Sequence, residues 1–177
     1  MRSRRAAIWA AATILISGCG GHSERVAPPP PNTHLVGHQK LEAFVPKASG
    51  WSAGQVSGAD VSLPAPASHV RVTFTKEKSA IDLELTDSGG DPAYVQALSS
   101  IAGTSFNQEA PNGYMKGTTV GGFPAVETFN KDDKLGEITI LIAGRFVVHA
   151  SGTGLATISP LQEFVSHVDL NGINALK

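Results

Sequence analysis

Glu137-Ile138-Thr139-Ile140-Leu141-Ile142-Ala143-Gly144-Arg145-Phe146-Val147-Val148-His149-Ala150-Ser151 is the densest run of β-branched residues in this 177-residue chain, and its reading decides the fold. Ile138, Ile140 and Ile142 alternate with other residues before Gly144, and Phe146, Val148 and Ala150 alternate after it. Both arms can bury these sets on one face only if the loop between them is odd in length, because a slip of one residue turns a strand over. A three-residue loop, Ala143-Gly144-Arg145, therefore predicts the pairs Ile142 with Phe146, Ile140 with Val148 and Ile138 with Ala150. The same register sets Leu141 opposite Val147 on the other face, among Thr139, Arg145 and His149. Two large apolar residues on a polar face need a cover. Leu41, Phe44 and Val45, at helical spacing before Pro46, predict a short N-terminal helix in that place.

Outward from this hairpin the pattern repeats. Val70, Val72 and Phe74 alternate with Arg71, Thr73 and Thr75; beyond a Lys76-Glu77-Lys78-Ser79 turn, Ile81, Leu83 and Leu85 alternate with Asp82, Glu84 and Thr86. These are two arms of a hairpin with one wet face. Gly121-Gly122 predicts a two-residue turn that pairs Val120 with Phe123, Lys116 with Glu127 and Tyr114 with Phe129. Trp51 opens a weak strand to about Ser57, and Pro64 and Pro66 mark a loop or an edge.

Two helices are expected. Asp91-Pro92 is an N-cap followed by proline at the first helical position, Gly103 is a C-terminal cap, and Val95, Leu98 and Ala102 form the stripe between them. Ser159-Pro160-Leu161-Gln162 has the form of a capping box, ahead of a stripe of Leu161, Phe164, Val165 and Val168 that ends near Asn171-Gly172. The predicted class is α+β: a mainly antiparallel sheet of about seven strands, flanked by two main amphipathic helices, with the short N-terminal helix added. By order of elements from Leu41 to Leu176 this resembles the PsbP-like α/β/α sandwich, a resemblance that implies an accessory or assembly factor rather than an enzyme.

The first residues supply an address. Met1-Arg2-Ser3-Arg4-Arg5 is a basic segment, Ala6 to Ile16 is apolar but too short to span a bilayer, and Ile16-Ser17-Gly18-Cys19 closes it with small residues. This resembles the lipobox of bacterial lipoprotein signal peptides. The resemblance implies cleavage before Cys19, lipidation of its thiol (palmitate among the acyl groups) and anchorage to the cell membrane or outer membrane. The domain would then stand in the periplasm or outside the cell, and Gly20 after the cysteine would fit outer-membrane sorting. Ser3-Arg4-Arg5 also looks like the start of a twin-arginine export motif. Residues 1–18 are thus the expected signal peptide, 19–39 a tether built around Pro28-Pro29-Pro30-Pro31, and 40–177 one α+β domain. Without Arg2, Arg4 and Arg5 the chain keeps 11 basic against 15 acidic residues, a net charge of -4. That leaves no basic footprint for nucleic acid. Cys19 is the one cysteine, so the exported domain has neither disulfide nor thiolate chemistry.

Candidate chemistry is sparse. His149 shares its face with Arg145, Val147, Thr139 and Leu141, and Arg71, Asp82 and Glu84 lie on the wet face of the earlier hairpin. If the two hairpins are neighbours, Arg71, Asp82, Glu84, Leu141, Val147 and His149 form one binding face. A solvated sheet face with cross-strand ion pairs predicts the same residue types. His34 and His38 read as tether histidines, His167 sits at the edge of a helix stripe, and Gly152-Thr153-Gly154 reads as a flexible connection rather than a phosphate cradle. No catalytic residue, metal set or cofactor is expected. The leading reading is a membrane-anchored, non-enzymatic binding or assembly module with a protein partner in the cell envelope. A small-ligand or metal-binding protein is the alternative, ahead of a hydrolase.

Overall fold

The computed structural model describes residues 34–62 and 66–177. The expected signal peptide, Cys19, the four prolines of the tether and Pro64 lie outside the described residues. Among the described residues nine antiparallel strands form one sheet: β1 (Ser52–Ala53), β2 (Ser57–Val61), β3 (Ala67–Lys76), β4 (Ser79–Asp87), β5 (Asn107–Ala110), β6 (Gly113–Val120), β7 (Phe123–Asn130), β8 (Leu135–Ile142) and β9 (Phe146–Thr153). Their order across the sheet is β1-β3-β4-β9-β8-β7-β6-β5, and β2 pairs with β3 as well.

The β8–β9 hairpin lies in the sheet interior with the register its apolar alternation predicts: Ile142 pairs with Phe146, Ile140 with Val148, Ile138 with Ala150 and Leu141 with Val147. Its loop is tight. Ala143 and Gly144 both take positive φ, 52° and 61°, and the Arg145 N–H donates to the Ile142 carbonyl at 3.1 Å. Left-handed backbone at an alanine costs roughly 1–2 kcal/mol, a strain that the long flanking ladders hold in place. The β3–β4 hairpin forms over the expected turn, with Lys76 opposite Ser79, and the β6–β7 hairpin keeps its predicted pairs, Val120 with Phe123, Lys116 with Glu127 and Tyr114 with Phe129.

One face of the sheet, here called inner, carries the core. Val70, Val72 and Phe74 of β3, Ile81, Leu83 and Leu85 of β4, Val148 and Ala150 of β9, and Ile138, Ile140 and Ile142 of β8 are all buried. Helices α3 (Ser159–Val165) and α4 (Leu170–Asn174) supply its lid through Leu161, Phe164, Val165, Leu170 and Ile173. Phe164 is the centrepiece, edge-on to Phe74 at 4.7 Å and to Trp51 at 5.9 Å. Each such side chain, fully buried, is worth roughly 1.5–3 kcal/mol. Two glycines near the end of β9 allow close approach: a Cβ on Gly152 would sit 2.6 Å from Leu155, and one on Gly154 2.5 Å from the Lys78 carbonyl.

The α+β expectation, with about seven strands and two main helices, is overturned. The described residues form a large antiparallel sheet with a few short helices, and among them no two main amphipathic helices flank it. Helix α2 (Pro92–Ser99) starts as predicted, with the Asp91 carboxylate accepting from the Ala93 N–H, but it stops well before Gly103. Its end is crowded with hydroxyls: Ser99 Oγ donates to the Gln96 carbonyl and Ser100 Oγ to the Ala97 carbonyl, in competition with the helical ladder. The second expected helix is split into α3 and α4, because Ser166 Oγ bonds the Glu163 carbonyl and Asp169 caps a new helix by accepting from the Gly172 N–H. The capping box never forms. Ser159 makes no side-chain cap bond, and Gln162 reaches instead to the sheet, donating to Glu127 at 2.7 Å.

The N-terminal helix is also short, α1 (His38–Leu41) followed by a 3-10 turn (Glu42–Phe44). It begins inside the stretch assigned to the tether. His38 donates its backbone N–H to Asp60 at 2.8 Å and sets its ring Nδ1 3.0 Å from the same carboxylate, so it is not a free tether histidine. The His38 backbone bond, first, holds the Asp60 carboxyl below its usual range.

Candidate functional site

The strand order makes the two hairpins neighbours. On the outer face β4 pairs with β9, so Arg71, Glu84, His149 and Thr139 fall in one row across four strands. Thr73, Asp82, Ser151, Glu137 and Thr128 form the next row. Arg71 grips Glu84 with both ends of its guanidinium, Nη2 to Oε1 and Nε to Oε2, each at 3.1 Å. That bond raises the Arg71 pKa. Thr73 donates to Asp82 at 2.5 Å, and the His149 ring Nδ1 lies 2.9 Å from the Thr139 hydroxyl oxygen. Arg71, Thr73, Asp82, Glu84, His149 and Ser151 line a shallow concavity of about 310 Å³. Four of the six predicted site residues therefore meet. Chemically this surface offers hydroxyls, a neutralised Arg–Glu pair and the carboxylates of Asp82 and Glu137, neither of which has a cation within 4 Å among the described residues. Among the described residues no group of three or more His, Cys, Asp or Glu is placed to hold a metal ion.

Leu141 and Val147 do not belong to this surface. They are 7% and 2% exposed and form a second small core with Val95 and Leu98 of α2. The cover expected from Leu41, Phe44 and Val45 is thus a misplacement, for Leu41 is buried in the inner core and Phe44 and Val45 pack against it. The reason lies in the chain path after β4. The Ser88 backbone N–H and hydroxyl both bond the Arg145 carbonyl, at 3.2 and 2.7 Å, which starts the connection to α2 beside the β8–β9 loop.

Arg145 was also expected beside His149, and it goes elsewhere. Its guanidinium takes Asp87 in a two-pronged pair, Nε to Oδ1 and Nη2 to Oδ2 at 2.7 Å each, with Arg145 6% exposed and Asp87 fully buried. The bond to Asp87 raises the Arg145 pKa. Asp87 accepts further from the backbone N–H groups of Val36 and Gly89, and Arg145 donates to the His34 carbonyl at 2.8 Å. Chain entry, the β4 end and the central loop are knotted at one point.

On the inner face the predicted Lys116–Glu127 pair belongs to a larger buried polar cluster that the sequence reading did not reveal. Glu127 is 3% exposed, and its Oε1 accepts from the Tyr114 hydroxyl at 2.7 Å and lies 2.9 Å from Lys116 Nζ, while Oε2 takes Gln162. Burial by itself would push the Glu127 carboxyl up, but the bonds from Tyr114, Gln162 and Lys116 outweigh it and leave the group below its ordinary value. Burial, and then the Glu127 bond, push the Tyr114 hydroxyl well above the usual tyrosine range. The signal was present: Glu127 stands between Ala125 and Phe129 at core parity on β7, and Asp87 likewise continues the Ile81, Leu83, Leu85 set on β4.

No protein-family model, curated protein or solved structure matches the chain. Among the described residues no helix is long and apolar enough to cross a membrane.

Proposed function

We propose that this protein is a lipid-anchored module of the bacterial cell envelope, tethered through Cys19, that acts by binding a protein partner rather than by catalysis. The observation that carries the anchorage is the sequence run from Met1 to Cys19, with its basic start, short apolar stretch and small-residue close. The support for partner binding is the outer face, where Arg71, Glu84, His149, Asp82 and Ser151 stand in adjoining rows on rigid central strands. Paired charges and hydroxyls suit a polar docking surface, in which desolvation is offset by hydrogen bonds to the partner.

Two measurements test this reading together. Mass spectrometry of the membrane fraction should find acylated Cys19, and Cys19→Ser should move the protein to the soluble fraction. Crosslinking in intact cells through a photoreactive residue at His149 should yield a discrete adduct that the same residue at exposed Glu163, on α3, does not give. An unacylated, wholly soluble wild type overturns the anchorage, and no adduct at His149 overturns the choice of face.

A further inference from the structure

Beside α3 the inner face of β5 and β6 is indented. Two concavities flank Lys116: one of about 370 Å³ lined by Phe106, Asn107, Glu109, Tyr114 and Lys116, and one of about 220 Å³ lined by Lys116, Thr118, Val120, Glu127, Gln162 and Val165 among others. The smaller lies between β6 and α3, against the edge of the core, with Ile138 also in its wall.

The hydrogen-bond inventory limits what this cavity can hold. Glu127 forms part of its wall, yet it is 3% exposed and both its oxygens are occupied, Oε1 by Tyr114 and Lys116 and Oε2 by Gln162. Three of its roughly four acceptor sites are taken and the group is almost wholly buried, so it offers a ligand little. Lys116 differs: its side chain is 39% exposed, and Glu127 at 2.9 Å and the Tyr114 ring at 5.0 Å fix its ammonium in place. An ammonium carries three donors, so bonding Glu127 leaves two for another acceptor. Thr118, one position along the same face of β6, adds a hydroxyl, and half-buried Val120 supplies apolar wall, backed by the buried Ile138 and Val165. The larger cavity is less suited to an anion because Glu109 in its wall has no cation within 4 Å among the described residues, whereas the Glu127 charge in the smaller one is offset by Lys116.

We infer that the 220 Å³ cavity between β6 and α3 is a binding site for a small organic monocarboxylate, its head group on Lys116 and Thr118 and its short apolar chain against Val120, Ile138 and Val165. Glu127 is a positioning residue that keeps the lysine charged and aimed. The inference goes beyond the partner-binding reading and does not depend on it, since this cavity is on the opposite face of the sheet from His149.

The test is an NMR titration of the isotope-labelled full chain with hexanoate, with hexanol and hexylamine as isosteric controls. Saturable shifts at the Lys116, Thr118 and Gln162 amides are expected for hexanoate, with hexanol at least about tenfold weaker and hexylamine weaker still, as loss of a charged hydrogen bond implies. Lys116→Gln should weaken hexanoate by about tenfold or more. Because that change leaves Glu127 short of a partner, Thr118→Val serves as a second variant, with a melt like wild type and hexanoate binding weakened several-fold. Shifts that do not saturate, equal binding of hexanol or hexylamine, or unchanged binding by a folded Thr118→Val together with Lys116→Gln would each overturn the proposal.

Discussion

Two arginine–carboxylate pairs in this molecule have nearly the same bidentate geometry and opposite surroundings. Arg145 and Asp87 meet at 2.7 Å with side chains 7% and 0% exposed, while Arg71 and Glu84 meet at 3.1 Å with side chains 63% and 30% exposed. Burial decides what each does. In the first pair water cannot replace a lost partner, so the charges hold the chain entry, β4 and the central loop in one arrangement. In the second, solvent screens the attraction and the pair shapes a surface without governing the fold. Glu127, with Lys116, lies between these limits, a buried carboxylate whose cation reaches water.

The contrast can be broken by three measurements. Arg145→Met should have the largest effect, about 3–5 kcal/mol lost in urea melts, because it strands a buried Asp87 carboxylate. It should also release the His34–Val36 strand of chain to proteolysis; a loss under about 1 kcal/mol would mean the knot is ornamental. Glu127→Gln comes next, with about 1–3 kcal/mol lost near neutral pH as the bonds of Tyr114, Lys116 and Gln162 are weakened. Its pH dependence has a definite sign. The folded-state pKa of Glu127 is lowered, so its contribution is complete above the ordinary glutamate value of about 4.3 and is lost as pH falls through the folded value. The gap between wild type and Glu127→Gln should therefore narrow on acidification below about pH 4, and a gap that widens there would contradict the assigned ionised state. Arg71→Ala should have the smallest effect, under about 1 kcal/mol and fading with added salt. A loss comparable to that of Arg145→Met would erase the distinction between the pairs.

Strand pairing was legible because period-two alternation and short turns are local facts. Ile138 to Ala150 could close over Ala143-Gly144-Arg145 in one way that buried both apolar sets, and Gly121-Gly122 fixed β6 on β7 in the same manner. The helices were less legible. A capping box at Ser159 to Gln162 is a local preference worth about 1 kcal/mol, and Glu127, some 35 residues away in sequence, outcompetes it for the Gln162 amide. Ser99 and Ser100 likewise add hydroxyl bonds to the Gln96 and Ala97 carbonyls at the end of α2, which an apolar stripe alone does not register.

The polar face divides along the same line. Alternation alone put Arg71, Asp82, Glu84 and His149 on wet faces, and strand order was needed to bring β4 beside β9 and set Glu84 opposite His149. Leu141 and Val147 were rightly paired by sequence, yet only the path from Ser88 into α2 determined that Val95 and Leu98 cover them. What the sequence determined by itself is the parity of the residues in the main strands and the register of the β6–β7 and β8–β9 hairpins, since both depend on neighbours a few positions apart. Which charges are buried, which helix lies on which face and where the inner face is indented were decided by tertiary structure, because burial is a property of what packs across a residue and not of the residues beside it.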